Sequence, residues 1–317
     1  MDIRLYDPSM RQQWNDFVLA SKNGTFLFLR QYMEYHSDRF ADHSFIFTDD
    51  RGQVCGLLPA NVRGDTLYSH GGLTFGGLVL GNATSGDAPL EMFGLLRRAL
   101  SDSGVNTVVY KPVPYIYHTQ PAQEDLYALF RNDATLSVRN MATVIDLSQP
   151  VTSSRLGKRA VKRAAKGGIV VDECQTVDPF WHIVVADRRE RHNTTPVHTA
   201  AELNYLKSVC PDNIRFFTAT GATGQVLGGA VVYVDRGVIH LQYAACTPQG
   251  KDLYATDVIY HELVFNRLTG NRWFDFGTSN EDGGRYLNVG MVHHKEEFGG
   301  RPVVYDTYAW RLRDGDR

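Results

Sequence analysis

One five-residue turn stands twice in this chain, and the same order of elements surrounds both copies. Gly52-Gln53-Val54-Cys55-Gly56 and Gly224-Gln225-Val226-Leu227-Gly228 each follow a β-rich run, Ser44–Thr48 and Ile214–Thr220. Each leads into another run, Leu57–Val62 and Ala230–Val234. Glycines between such runs read as hairpin turns. A further strand follows in both places. Then comes an amphipathic helix with apolar residues three and four apart, Leu90–Leu100 and Asp257–Leu268. The strands Thr107–Tyr110 and Trp273–Phe276 close the two units. Meander strands with a helical crossover to one more strand make an α+β pattern, unlike the strict alternation of a doubly wound sheet. Internal duplication is the economical explanation, and it predicts two tandem domains.

The length of 317 residues accommodates two such domains with sizeable cores. The expected division is 1–150 and 151–317, because Pro150 ends one unit and a basic helix, 153–167, opens the next. Ser153-Ser154 can cap that helix and Gly167-Gly168 can stop it. It carries Arg155, Lys158, Arg159, Lys162, Arg163 and Lys166, with Arg155, Arg159, Lys162 and Lys166 on one stripe. Guanidinium and ammonium groups in that density suit a solvated bridging helix or phosphate binding.

Overall charge narrows the partners. A formal net charge of −2 gives no global attraction to nucleic acid or anionic membranes, so DNA binding is not expected. The N-terminus lacks a basic stretch followed by an apolar run, and no apolar stretch suits a spanning helix. Cys55, Cys174, Cys210 and Cys246 lie far apart with no C-x-x-C pair. These features fit a cytoplasmic protein with reduced thiols. No metal site is expected, since His293-His294 point about 100° apart on a helix and lack a third ligand at recognised spacing.

Several residues suit proton transfer or ligand contact. Asp275 lies between Phe274 and Phe276 in a strand, so its carboxylate points opposite to both rings, as a general base or as an acceptor for nearby backbone. On the strand Val238–Ala245, strict alternation puts His240, Gln242 and Ala244 on one face and Ile239, Leu241 and Tyr243 on the other. A polar face at a sheet centre suggests a lined cleft, with His240 titrating in a useful range. Tyr115, Tyr117 and His118 form an aromatic loop suited to stacking on a sugar or base. No G-x-S-x-G elbow is present, so a covalent serine mechanism has no support.

Longer motifs carry a family likeness. Arg155–Gly168 resembles the basic helix that opens the second domain of Fem-type peptidyl transferases and their acetyltransferase relatives. Phe274-Asp275-Phe276-Gly277-Thr278-Ser279-Asn280-Glu281, then Asn288-Val289-Gly290 and Lys295-Glu296-Glu297-Phe298-Gly299, is similar to the C-terminal signature of that group. Leu241-Gln242-Tyr243 and Gly71-Gly72-Leu73-Thr74-Phe75-Gly76-Gly77 extend the likeness over most of the chain. The resemblance implies a tandem pair of GCN5-related acetyltransferase folds, the first degenerate and the second holding the reaction centre.

It also implies transfer of an acyl group to an amine, with acyl-CoA as co-substrate and an amino-sugar nucleotide or a cell-envelope or polysaccharide precursor as acceptor. Aminoacyl-tRNA is the alternative donor, and a non-catalytic binding module the third reading. Lys295 matches the lysine that the family places near the reacting carbonyl. Gln242, Tyr243, Ser279, Asn280, Glu281 and Asn288 fall on motif positions implied to contact substrate, and His198 falls where the family has a phosphate-holding arginine. The stretch Thr247-Pro248-Gln249-Gly250-Lys251-Asp252 keeps only a remnant of the Gln/Arg-x-x-Gly-x-Gly/Ala turn that binds the coenzyme A pyrophosphate. Gly250 and Lys251 are its candidate contacts.

Overall fold

A computed structural model describes residues 1–101, 103–151 and 155–312; the Ser153-Ser154 cap falls outside them. The chain divides into two compact units, Met1–Asn140 with Asp282–Tyr286 and Val304–Arg317, and Met141–Glu281 with Leu287–Val303. The first boundary thus lies ten residues before the expected one, inside the strand Thr135–Asp146, and the end of the chain returns to the first unit. A chain that re-enters its first unit cannot be read from local composition, because strand pairing sets membership.

The repeated turn is the same object in both units. Gly52 N–H donates to Asp49 O at 2.9 Å and Asp49 N–H to Gln53 O at 2.8 Å; Gly224 N–H donates to Gly221 O at 2.9 Å and Gly221 N–H to Gln225 O at 2.9 Å. Both glycines take positive φ, +75° and +82°, where a Cβ is disfavoured. Each turn adjoins a register shift, between Phe47 and Thr48 in one hairpin and between Ala219 and Thr220 in the other.

In the first unit the strands Asp2–Leu5, Phe45–Thr48, Val54–Leu58 and Val79–Leu80 form one sheet in that order. The expected run Leu57–Val62 is two strands, because Pro59 interrupts it: Val54–Leu58 stays in this sheet, and Asn61–Arg63 pairs with Thr66–Tyr68. The latter continues in parallel to Thr107–Tyr110. The helix Ala88–Leu100 buries Met92, Phe93, Leu96 and Leu100 at helical spacing, with Phe93 packed on Trp310 at 5.0 Å.

At the centre of this core a polar relay replaces an apolar contact. Leu78 N–H donates to Tyr110 Oη, and Tyr110 O–H donates to Asp125 Oδ2, both at 2.7 Å. Burial pushes the Asp125 carboxyl up to about 6, against the hydrogen bond from Tyr110. Tyr110→Phe leaves both a buried amide and a buried carboxylate one partner short, a loss of about 2 to 4 kcal/mol. Urea unfolding followed by tryptophan fluorescence should show that loss; an unchanged midpoint would mean that the relay is incidental.

The second unit is one sheet, running Val170–Cys174, Ile214–Thr220, Val226–Asp235, Val238–Cys246, Trp273–Thr278 and the end of Thr135–Asp146. Its first four strands are antiparallel neighbours, whereas Val238–Cys246 and Trp273–Thr278 run parallel, joined by the crossover helix Ala255–Glu262. The core on that helix's face includes Phe217, Val232, Ile239, Phe274 and Phe276, with Ala164 of the helix Arg155–Lys166. The opposite face is covered by Asp178–His192, which buries Phe180, Trp181, Ile183 and Val184. Gly168 closes the basic helix at φ +69°, with Gly167 N–H on Arg163 O at 3.0 Å and Ile169 N–H on Ala164 O at 3.2 Å.

Candidate active site

The two parallel strands of the second unit stay together for only three residue pairs. Val238 faces Trp273, Ile239 faces Phe274 and His240 faces Asp275, where the pairing ends. Beyond that point Val238–Cys246 keeps its antiparallel partner as far as Cys246, while Thr278 pairs with Ala142 on the other side. The strands therefore part, and one edge of residues 241–246 faces no strand. Backbone polar groups along such an edge are open to an extended ligand.

At the apex of the wedge, His240 Nδ1 lies 2.7 Å from Asp275 Oδ2. Asp275 is fully buried and an ionised carboxylate only accepts, so Nδ1 carries the hydrogen, and in its neutral form the ring presents Nε2 as a base. The His240 side chain is 12% exposed, open enough for a substrate proton to reach it. Asp275 Oδ1 accepts from Gly277 N–H at 2.7 Å. The reading of Asp275 as an acceptor for nearby backbone is thus met by one oxygen, while the other lies against His240.

Gly277 links these groups to Lys295. Its φ of +70° sets the irregularity that carries the strand from Asp275 to Thr278, and its carbonyl accepts from Lys295 Nζ at 2.8 Å. The same ammonium donates to Thr278 O at 3.1 Å and Ser279 Oγ at 2.8 Å. All three of its hydrogens are used within the chain, so Lys295 does not offer a free donor to an oxyanion; it clamps the backbone beside the His240–Asp275 pair. Burial lowers its pKa to about 8, partly offset by the nearby Asp275 charge.

A bulge corrects the face assignment on Val238–Cys246. The register shifts between Val231 and Val232, which face Tyr243 and Leu241 and leave Gln242 as the extra residue. Alternation therefore resets: Leu241, Ala244 and Cys246 pack with the core beneath the crossover helix, and Tyr243 turns to the face of His240. There Tyr243 O–H meets His198 Nδ1 at 2.8 Å and its ring packs edge-on to Trp181 at 5.2 Å. Gln242 bonds the Tyr243 hydroxyl, whose pKa burial raises.

The other expected contacts are structural where the chain places them. Asn280 Oδ1 accepts from Met141 N–H at 2.5 Å, and Asn288 caps the helix Val289–Glu296 through Met291 N–H at 3.0 Å. Glu281 is exposed. Tyr117 and His118 belong to the first unit, where Tyr117 packs on Phe75 at 4.7 Å and His118 Nε2 lies 3.0 Å from Val113 O.

Gly250 and Lys251 do not form an anion cradle. Gly250 N–H is taken by Thr247 Oγ1 at 3.0 Å and Lys251 N–H by Thr247 O at 2.9 Å. Leu253 and Tyr254 N–H go to Gln249 O and Lys251 O, both at 3.1 Å. The glycine is needed because a Cβ there would overlap Leu227 O. The N–H groups of Gly250, Lys251, Leu253 and Tyr254 are thus taken within the turn, whereas the open strand edge fits an amide-bearing arm. Burial raises the thiols of Cys55, Cys174 and Cys210 to about 11, which suppresses thiolate chemistry. Among the described residues no group of three His, Cys, Asp or Glu could hold a metal ion, and no helix is long and apolar enough to cross a membrane.

Trp181, Thr247 and Gly277 matter here without having been singled out. Gly277 alone left a signal, as a glycine breaking the alternation of Phe274-Asp275-Phe276.

Comparison with known proteins bears on the fold that carries these residues. Residues 155–286 match the family described as acetyltransferase (GNAT) domain. Among solved structures, FemX superposes with a TM-score of 0.67 at 12% identity, covering 98% of this chain and 97% of that one. L-PGS from Bacillus licheniformis gives 0.62 at 12%, covering 97% and 92%. A tandem GNAT protein from the clavulanic acid biosynthesis pathway gives 0.52 at 13%, covering 99% of both chains. At such identities the likeness is one of fold. No curated protein matches the chain in sequence.

If Lys295 acts by holding residues 277–279, Lys295→Ala should lower kcat about 10²-fold, the usual effect of a small misplacement of catalytic groups. Faster amide hydrogen exchange at residues 277–279 should accompany the loss. The clamp needs the ammonium, so wild-type activity should also fall as pH rises through about 8. Wild-type kcat and exchange in the variant would make Lys295 a bystander.

Proposed function

We propose that this chain, whose residues 155–286 match an acetyltransferase (GNAT) domain and whose fold is that of FemX and a tandem GNAT protein, acts as an acyltransferase and acylates a primary amine through His240. The acyl group comes from a thioester, and the acceptor is an amino-sugar nucleotide or a cell-envelope precursor. The observation that carries this reading is the His240–Asp275 pair, set where the two strands part. His240 Nε2 accepts the proton of the attacking amine, the nitrogen bonds to the thioester carbonyl carbon, and the C–S bond breaks. The proton then returns from His240 to the leaving thiolate. Asp275 fixes the tautomer and steadies the transient imidazolium, as a buried carboxylate does for a catalytic histidine. Amides on the free edge of residues 241–246 suit the developing oxyanion. Tyr243, the bulged Gln242 and His198, which reaches the Tyr243 hydroxyl from the loop before Ala200–Val209, suit acceptor recognition.

A second donor, an aminoacyl ester carried by tRNA, brings no pyrophosphate to the Thr247–Tyr254 turn, whose Gly250, Lys251, Leu253 and Tyr254 amides are already bonded. FemX and L-PGS, the fold neighbours named above, are compatible with that variant.

Thiol release from acetyl-CoA and longer acyl-CoAs, with a panel of amino-sugar nucleotides, tests the reading. His240→Ala should lower kcat about 10²- to 10⁴-fold with KM little changed, and Asp275→Asn should lower it through the wrong tautomer. Silence with every thioester, alongside turnover of charged tRNA, would transfer the case to the second donor. Full activity in His240→Ala would remove the proposed base.

A further inference from the structure

The turn Thr247–Tyr254 ends the open strand edge, and the helix that follows it repels anions. Asp257, 8% exposed, stands third in the helix Ala255–Glu262 and accepts its own backbone N–H. Burial holds its carboxyl above the usual range; His294 opposes this shift and Glu297 adds to it. A carboxylate already occupies the helix N-terminus where a pyrophosphate would need to sit.

Beside the same turn lies the strongest positive feature of the unit. The helix Arg155–Lys166 packs Ala164 into the core shared with Ala255 and Val258, and Gly167 approaches the Leu253 side chain. Arg163 reaches over the Tyr254 ring at 5.6 Å. Lys158, Arg159, Lys162, Arg163 and Lys166 are all exposed, and among the described residues none of them has a carboxylate within ion-pair distance. Five exposed cations thus stand on a helix packed against Ala255–Glu262, beside a turn whose Gly250, Lys251, Leu253 and Tyr254 amides are already bonded.

We propose that the acyl donor is a thioester on the 4′-phosphopantetheine arm of an acidic carrier protein, docked on the exposed face of Arg155–Lys166. The proposal rests on the acyl-transfer reading and names its donor. Each part of such a donor has a counterpart. The arm has two amides for the open edge of residues 241–246, its single phosphate stays at the carrier surface, and an acidic helix of the carrier meets the cations. Free coenzyme A would bring its pyrophosphate to Asp257. A tRNA fits less well, because its terminal phosphates would face the same carboxylate. The cations also occupy one helix of about 18 Å on a chain of net charge −2, a short footprint for a nucleic acid. In the reaction the amine nitrogen bonds to the acyl carbon, the C–S bond breaks and the carrier leaves as holo-protein with a free thiol.

The test compares fluorescently labelled holo-acyl carrier protein, coenzyme A and bulk tRNA for binding to the full chain. It uses the wild type and a Lys158→Glu, Arg159→Glu, Lys162→Glu variant whose circular dichroism and melting are checked first. Carrier binding should weaken at least about tenfold in the variant, as expected when interface charges are reversed. Added carrier should slow amide exchange in residues 155–166 of the wild type. Single-mutant Lys162→Glu, with a smaller loss, serves if the triple variant melts. Equal carrier binding in wild type and variants, or tighter binding of tRNA than of carrier, overturns the proposal. So does equal transfer to hydroxylamine from acetyl-CoA and from acetylated carrier protein. Acetyl-N-acetylcysteamine with hydroxylamine separates the two levels: turnover there alongside failed carrier binding sinks only the carrier, and no turnover from any thioester sinks the acyl-transfer reading itself.

Discussion

The separation of two parallel strands after His240 and Asp275 is the constraint on which the functional unit depends. While paired, Val238–His240 and Trp273–Asp275 are ordinary sheet. Beyond them the left-handed Gly277 redirects one strand toward Ala142, and the other is left with an open edge. A buried carboxylate at that divergence would be costly if unsatisfied. Here its two oxygens are spent on His240 and Gly277, so one residue holds both the imidazole and the backbone kink. Lys295 completes the arrangement from the helix Val289–Glu296, tying three successive residues past the kink.

This economy explains the division of labour among the polar residues. His240 is partly exposed and keeps Nε2 out of its contact with Asp275, so the proposed proton transfer is assigned to it. Lys295 and Ser279 spend their hydrogen-bonding capacity on each other and on backbone, which makes them positioning residues. His198 and Tyr243 pair with one another, fixing an aromatic wall against Trp181.

Much of this was legible in the sequence, for reasons that can be named. The two G-Q-V-x-G turns were readable because a hairpin of this kind demands a left-handed glycine, and that demand leaves a local mark. Asp275 was readable because a carboxylate between two phenylalanines has few bland explanations. The face of Tyr243 was not readable, since one bulged residue, Gln242, reverses alternation without a compositional signature. The close packing of Gly250 was not readable for a related reason: a glycine required by contact with Leu227 looks the same in sequence as one required by a phosphate. The true extent of the first unit depends on pairing between distant strands, Thr107–Tyr110 with Tyr308–Arg311, which no local pattern reports.

The account turns on the protonation geometry of His240, which is directly observable. Long-range ¹⁵N–¹H correlation spectra of the imidazoles, assigned with a His240→Gln variant and recorded well above the imidazole titration, report the tautomer. The account predicts a neutral ring protonated on Nδ1, with a bare Nε2, and loss of that preference in Asp275→Asn. A His240 ring protonated on Nε2, or a spectrum indifferent to Asp275→Asn, would contradict it.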